Sequence, residues 1–567
     1  MQAEALVLSA YPLSQSFQSS LNELAGKNYK TATLGDLRSL RPMPLLRALW
    51  NMRPDRLLLP LEDENSLALL PVVKLVAGFT RARRIEIVNP DLSITDMSRM
   101  GTLVDVVRFA GASVQSAIAA MLSAIELKSL LRSARITVPP PERGCEVLYL
   151  KTNLWMGIKA GGSVGHIAGV VNALQDEGYP VTFASAEPPV MVSPKVDLLP
   201  VEPPRTFGLP YGLNNYRFQF SFAKVASSAI ECHRYGFIYQ RLSAANYLGV
   251  VLSRRHGLPL VVEYNGSETW IAKNWGREMS FNGLATMAEE AMLRHAHLVV
   301  TISDVLRDEL ILRGVDPARI VTYPNGIDPE IFDPTRFGAA ERDALRARYG
   351  LSTDDRVCAF IGTFGQWHGA DILAQAIAEL RTNHADWLTT NRCRFLLIGD
   401  GPKAKEVRQI IERANATDIC TITGLVPQSE APLHLAASDC LLSPHVANPD
   451  GSKFFGSPTK LFEYMAMEKG IYGSRLDQIA QVLAPSVDIG ALPDAAEPSP
   501  LERAVAVLGE PGSVTDLVEG VKFLVERRAW AEKLARNARQ KALTEYTWKH
   551  HVDAILQGMS RALTMER

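Results

Sequence analysis

The stretch GSPTKLFEYMAMEKG, Gly456–Gly470, reads as one short helix with its boundaries written in. Ser457 is placed to cap it, Pro458 suits the first helical position, where a missing N–H costs nothing, and Gly470 suits the left-handed residue that ends it. Lys460 and Glu463, three apart, share a face near the amino end. A cation beside a helix N-terminus suits a phosphate, and a carboxylate there can accept from two ribose hydroxyls. Taken alone, a surface Lys–Glu pair would look the same, so the surroundings decide.

Those surroundings are α/β. VCAFIGTFG from near Arg356, RFLLIGDG and SDCLLSP are apolar strands that each feed a loop and then a helix, and in parallel sheets ligands bind at such carboxyl ends. IGDGPKAKEVRQII gives Gly399-x-Gly401-x-x-Ala404 after the strand Phe395–Ile398, a dinucleotide fingerprint in form. The ribose-holding acid expected about 20 residues on is missing, because the next strand ends Thr421-Ile422-Thr423-Gly424.

An earlier block opens with EVLYL, Glu146–Leu150, and passes through Gly161-Gly162-Ser163-x-Gly165-His166 into a helix. On that helix Val164, Ile167, Val170, Val171 and Leu174 recur at helical spacing. Glycines at such an entry admit a ligand to the backbone, and the helix start offers it free N–H groups; a plain tight turn is the other reading. Further on, Arg241, Glu263, Asn265 and Glu268 fall at or near strand ends beside Trp270. Acids, an amide, a guanidinium and a ring face together suit sugar hydroxyls. Before all this lie strand-like Ala5–Ser9, Arg56–Pro60 and Arg84–Val88, a helix-rich stretch from Met97 to about Arg135, and a break at Pro139-Pro140-Pro141.

Composition narrows the partners. Sixty Lys+Arg against 61 Asp+Glu give a net charge of −1, which argues against nucleic acid. The six cysteines are scattered, without a C-x-x-C pair or a histidine cluster at metal spacing; they suit small buried positions in a reducing compartment, and no metal site is expected. MQAEALVLSAYPL has no basic n-region, so a cytoplasmic protein is expected. Phe109–Ile125 is uncharged but diluted by Gly111, Ser113, Gln115, Ser116 and Ser123. That composition suits a buried or interfacial helix better than a spanning one, which needs about 20 mostly apolar residues.

Taken in order, GGSVGHIAGVVNAL, VVTISDVLRDEL, YPNGIDPEIF, FIGTFGQWHGADIL, FLLIGDGP, ITGLVP, LHLAASDCLLSP and SPTKLFEYMA resemble the GT-B glycosyltransferases, specifically the large family 4 of retaining, nucleotide-sugar-dependent enzymes. The resemblance covers about residues 146 to 555. It implies two Rossmann-like domains facing a cleft, residues 146–340 on the acceptor side and 341–545 on the nucleotide-sugar side. Residues 546–567 would form a closing helix returning to the first domain, and 1–140 an added N-terminal α/β module.

By that resemblance Gly161, Gly162 and Ser163 would lie over the donor diphosphate and Gly362, Gly399 and Gly401 under the donor pocket. Leu425 would border the base, Lys453 and Lys460 would meet phosphate, and Glu463 would hold the ribose. His166, Arg241, Glu263 and Asn265 would face the acceptor. Two departures stand out. The family usually carries two glutamates eight residues apart, but counting back from Glu463 lands on Phe455, with Asp450 the nearest acid in the preceding loop. The family's arginine and lysine after the first strand of this domain are replaced by Thr363 and His368. Asp450, Glu268 and His368 are therefore the catalytic candidates.

The implied activity moves a sugar from a nucleotide diphosphate to a glycan or lipid-linked acceptor, in cell-surface polysaccharide or glycolipid synthesis. No cofactor is needed, since cationic side chains and helix N-termini can take the leaving-group charge. The expected place is the cytoplasm, peripheral on the inner face of the cell membrane, with residues 1–140 facing acceptor, membrane or an assembly partner. Two other classes stay open: an epimerase or hydrolase using Asp450 and Glu268 as acid and base over the sugar, and a non-catalytic sugar-nucleotide-binding subunit.

Overall fold

The computed structural model describes residues 5–10, 13, 15–25, 29–38, 42–62, 64–99, 102–154, 161–275 and 279–565. Three α/β layers follow one another along the chain. The leading sheet has the order Tyr29–Thr33, Ala5–Ser9, Arg56–Pro60, Arg84–Val88, Ile94–Asp96, parallel except for the last pair. Its central strands are the three read from sequence, and they are almost wholly apolar because both faces are covered.

The second sheet is seven-stranded and parallel, ordered Ile320–Thr322, Leu298–Thr301, Leu260–Tyr264, Tyr235–Arg241, Glu146–Lys151, Val181–Ser185, Asp197–Pro200. The third, also parallel, runs Cys420–Gly424, Cys393–Ile398, Arg356–Ile361, Cys440–Ser443, Gly470–Ser474, Val507–Gly509, Val487–Asp488. The helix Trp548–Met565 closes the molecule by returning to the second layer, where it packs on the helix Gly162–Asp176. Gly169 makes that crossing: a Cβ there would fall 2.2 Å from the Trp548 ring.

Two features differ from the sequence reading. The helix Thr102–Arg132, read as part of the leading module, packs on that module's helix Leu70–Gly78 and also joins the core of the second layer, where Ala119, Ala120, Leu127 and Leu130 pack with Phe222 and Leu248. The decisive helix is also shorter than Gly456–Gly470, spanning Thr459–Ala466. Ser457 does not cap it, because its Oγ accepts the Asn325 N–H at 3.1 Å from the other domain. Glu468, with φ 55°, supplies the left-handed residue after the helix, and Gly470 opens the next strand.

Candidate functional site

The donor-side face grows from the helix Thr459–Ala466, which sits behind the carboxyl end of the strand Arg356–Ile361. Lys460 is 6% exposed, its Nζ 4.0 Å from the Phe360 ring centre, and it finds no hydrogen-bond partner among the described residues. Burial pushes its ammonium down to about 7, against the pull of Glu463. Glu463 is as deeply buried, and burial raises its carboxyl to about 7 against the pull of Lys460.

Two imidazoles complete this face. His368 stacks on Trp367 at 3.8 Å between ring centres, and His445 stacks on the same indole at 5.3 Å. His368 Nδ1 and His445 Nε2 are buried without hydrogen-bond partners among the described residues. Burial, and then the Lys460 charge, hold both imidazoles well below their ordinary range, so both are neutral at pH 7. A buried ammonium and two orphaned ring nitrogens form a set of polar groups in need of a ligand, since unpaired buried polar atoms cost about 1–3 kcal/mol each.

Gly399 and Gly401 have a structural reason. With φ of 143° and 157°, their missing Cβ atoms would lie 1.9 Å from Gly362 O and 2.8 Å from Phe364 O. The dinucleotide-like fingerprint thus lets one loop pack on another. That packing places Gly362, where a Cβ would come 3.5 Å from Lys460 Nζ. Leu425 lies beyond this edge and is exposed.

From across the cleft the glycine entry reaches this helix. A Cβ on Gly162 would stand 3.1 Å from Thr459 Oγ1, and the Gly161 N–H donates to Gln428 Oε1 at 3.2 Å. Glu463 lines a narrow pocket between the domains with Gly165, Gln428, Thr459 and Trp548.

The acceptor-side residues divide in two. His166 is 2% exposed; its Nδ1 is 2.7 Å from Asn325 Oδ1 and its Nε2 2.7 Å from Glu263 Oε1. Glu263 also accepts from Arg241 Nη1 at 3.1 Å and Tyr239 Oη at 2.9 Å, and from Asn265 Nδ2. Full burial would raise this carboxyl, but His166 and Arg241 outweigh it and hold it well below the usual carboxylate range. His166 and Glu263 are therefore enclosed, and what they present to the cleft is Arg241. Arg241 lines a pocket with Glu268, Lys151, Asn153 and Ser163 at the carboxyl ends of the second sheet. Burial lifts the Glu268 carboxyl to about 7, against the pull of Arg241.

Phe455, where the family pattern has its first glutamate, is part of a ring cluster that joins the domains. It stacks on Trp275 at 5.1 Å and meets Trp270 at 5.3 Å, while Trp275 reaches Trp367 at 5.4 Å. The structure does not bring Asp450 to Glu268's pocket: Asp450 is exposed, accepting from Trp270 Nε1 at 3.1 Å and from Ser452. Nor does it bring Lys453 to Lys460. Lys453 is exposed and lines a separate hollow with Glu289 and Arg313.

Three residues here escaped the sequence reading. His445 had one usable signal, standing just past the strand Cys440–Ser443 at its ligand-binding end. Asn325, within the quoted YPNGIDPEIF but given no role there, donates through Nδ2 to Ser457 O and pins the two domains. Trp275 gave no signal, because besides its neighbour Trp270 its ring partners, Trp367 and Phe455, lie in the other domain.

Fold and site together define a GT-B glycosyltransferase. Residues 160–331 match Glycosyltransferase Family 4 and residues 355–510 match Glycosyl transferases group 1, together more than half of the chain, which belongs to this family of enzymes. It is 26% identical over 325 residues to 2-deoxystreptamine glucosyltransferase of Streptomyces kanamyceticus, covering 56% of this chain and 75% of that one. Over 288 residues it is 27% identical to D-inositol 3-phosphate glycosyltransferase of Mycolicibacterium smegmatis, covering 50% of this chain and 56% of that one. Among solved structures, sucrose-phosphate synthase of Thermosynechococcus elongatus shares the fold with a TM-score of 0.55 at 17% identity, over 74% of this chain and 99% of that chain. Anabaena HepE, solved with UDP and glucose, gives 0.54 at 17% identity, over 73% and 99%.

Proposed function

We propose that this glycosyltransferase moves a sugar from a nucleotide diphosphate sugar to a glycan or lipid-linked acceptor with retention of configuration, in cell-surface polysaccharide or glycolipid synthesis at the inner face of the membrane. The buried ammonium of Lys460 beside Gly362, without a hydrogen-bond partner among the described residues, carries this reading. A diphosphate would supply the missing counter-charge, and the N–H groups that open the helix Gly162–Asp176 would add to it. His368 and His445, neutral, would donate N–H to phosphate oxygens, and Glu463 would accept from the ribose.

The acceptor would occupy the pocket at Arg241 and Glu268, with His166 and Glu263 behind it as positioning residues. Its hydroxyl oxygen bonds to the anomeric carbon on the face from which the diphosphate departs. The carbon–phosphate-oxygen bond breaks, and the hydroxyl proton passes to a phosphate oxygen of the leaving group. Cations and N–H groups aimed at that oxygen stabilise the departing charge. The epimerase or hydrolase reading loses support, because Asp450 is held by Trp270 and Ser452 away from Glu268's pocket.

A panel of nucleotide sugars screened by thermal shift tests donor binding, since a ligand of the folded state raises its apparent stability. Product analysis with the donor found should give nucleoside diphosphate and a lengthened acceptor of unchanged anomeric configuration. Free sugar, an epimerised donor, or no stabilising donor would each sink the proposal.

A further inference from the structure

In the first layer, the helix Pro42–Asn51 takes no part in the cleft. It turns Leu49 into that layer's core, with Leu45 partly buried beside it. Its other side holds Met43, Leu46 and Trp50, exposed by 66%, 42% and 54%, where a face in water is normally polar. Phe79, just past the helix Leu70–Gly78, is exposed as well.

The rim of this face is cationic. The segment leaving the helix lies alongside Arg81–Arg84: the Arg81 N–H donates to Met52 O at 2.9 Å, the Arg83 N–H to Pro54 O at 3.1 Å and the Arg84 N–H to Asp55 O at 3.0 Å. The Arg81 guanidinium carbon stands 4.4 Å from the centre of the Trp50 ring and so ties both segments to the exposed indole. In a chain of net charge −1, residues 42–55 and 79–84 set Arg47, Arg53, Arg81, Arg83 and Arg84 against the single acid Asp55. All five arginines are exposed, and none enters an ion pair among the described residues. Arg56, by contrast, is held by Glu86 at 2.7 Å.

We infer that this face docks on an anionic bilayer, with Met43, Leu46 and Trp50 entering the headgroup region and the five guanidinium groups meeting lipid phosphates. A purely acidic partner would satisfy the arginines and leave the apolar side chains in water. A purely apolar one would desolvate unpaired cations. A bilayer interface answers both, since indole rings settle at headgroup level and guanidinium pairs with phosphate. Clusters of about four to eight cations on or beside an amphipathic helix bind anionic lipid in this way. The inference deepens the proposed function, on whose placement at the inner face of the membrane it rests, and it gives the leading layer a task separate from the chemistry.

Flotation of the full-length protein with vesicles tests this. Vesicles of equal parts phosphatidylglycerol and phosphatidylcholine should carry the protein, vesicles of phosphatidylcholine alone should not, and added salt should release it. Arg81→Glu/Arg83→Glu/Arg84→Glu should weaken binding to the anionic vesicles about a hundredfold, and Trp50→Ala on the order of tenfold. Both should keep the parental circular dichroism, because the altered side chains are exposed; Arg47→Gln/Arg53→Gln gives a second, milder reading of the charge. Thermal shift by the donor should be the same in every variant, which keeps the chemical layers out of the comparison. A parent that floats with neither vesicle overturns the inference together with the membrane placement. A parent that floats equally with both, or variants that float as the parent does, overturn the inference alone. Binding lost in the arginine variants but kept in Trp50→Ala would give the face to an acidic polymer and overturn it too.

Discussion

The two faces of the cleft are both deeply buried and both polar, yet their charged groups differ: on the second layer they are paired, although Asn265 Oδ1 and His551 Nε2 there find no hydrogen-bond partner among the described residues, whereas on the third the ammonium is not hydrogen-bonded. On the second layer, His166, Glu263, Arg241 and Asn325 are bonded to one another and, through Asn325, to Ser457 of the third layer. On the third layer, the Lys460 ammonium and one nitrogen each of His368 and His445 are buried with no partner among the described residues. A closed network holds a structure; an open one waits for a ligand. Under the proposed function the first face positions the domains and the second binds the donor.

The largest expected effect separates the two. Glu263→Ala should cost about 3–5 kcal/mol of stability, because it strips the carboxylate from Arg241 and leaves a desolvated charge; chemical denaturation measures it. Lys460→Met should do the reverse, stabilising the ligand-free protein as a desolvated buried cation gives way to an apolar chain of similar length. The same change should weaken donor binding by about 3 kcal/mol, on the order of a hundredfold. Equal loss of stability in both variants would erase the contrast between the faces.

Next in size, Glu463→Ala should weaken donor binding by about 1.5–3 kcal/mol, the worth of hydrogen bonds to a charged group, as read by titration calorimetry in a variant with parental circular dichroism. His368→Ala should cost less, about 0.5–1.5 kcal/mol, because the imidazole is neutral and donates one N–H. His368→Lys should retain part of the affinity. If neither histidine variant changes donor affinity, the diphosphate does not reach this ring.

Protonation sharpens the same contrast. In the ligand-free fold Lys460 holds its proton only up to about 7, against about 10.4 unfolded. Between those values the unfolded chain binds more protons, so Lys460's contribution to stability rises with pH across that window. Donor binding runs the other way: a bound diphosphate restores the cation, so binding takes up a proton and weakens as pH climbs above about 7. Glu463, raised to about 7 from about 4.3 unfolded, makes the folded state bind the extra proton between those values. Its contribution therefore falls as pH rises through that lower window.

Much of this was legible in the sequence where local pattern decides. The strands Ala5–Ser9, Arg56–Pro60 and Arg84–Val88 and the Lys460–Glu463 pair need only their own residues to be read. What crosses domains was not. Ser457 looks like a helix cap, and only the arrival of Asn325 from the other layer diverts its hydroxyl. Gly399 and Gly401 read alike whether positive φ serves a phosphate or the loop at Gly362, and here it serves the loop. His166 and Glu263 lie on separate elements, so the pairing that encloses them has no local signature. The helix Thr102–Arg132 was legible as apolar, but which layer its alanines join depends on helices more than eighty residues downstream.

The most direct test is one thermal-shift experiment on the parent and on Lys460→Met, each without ligand and with a panel of nucleoside diphosphates. The account predicts that Lys460→Met melts higher than the parent when no ligand is present, that at least one diphosphate raises the parent's melting temperature, and that this rise disappears in the variant. A variant that melts lower without ligand and is still stabilised by the same diphosphate would contradict it, placing the open face in the structural framework and the donor elsewhere.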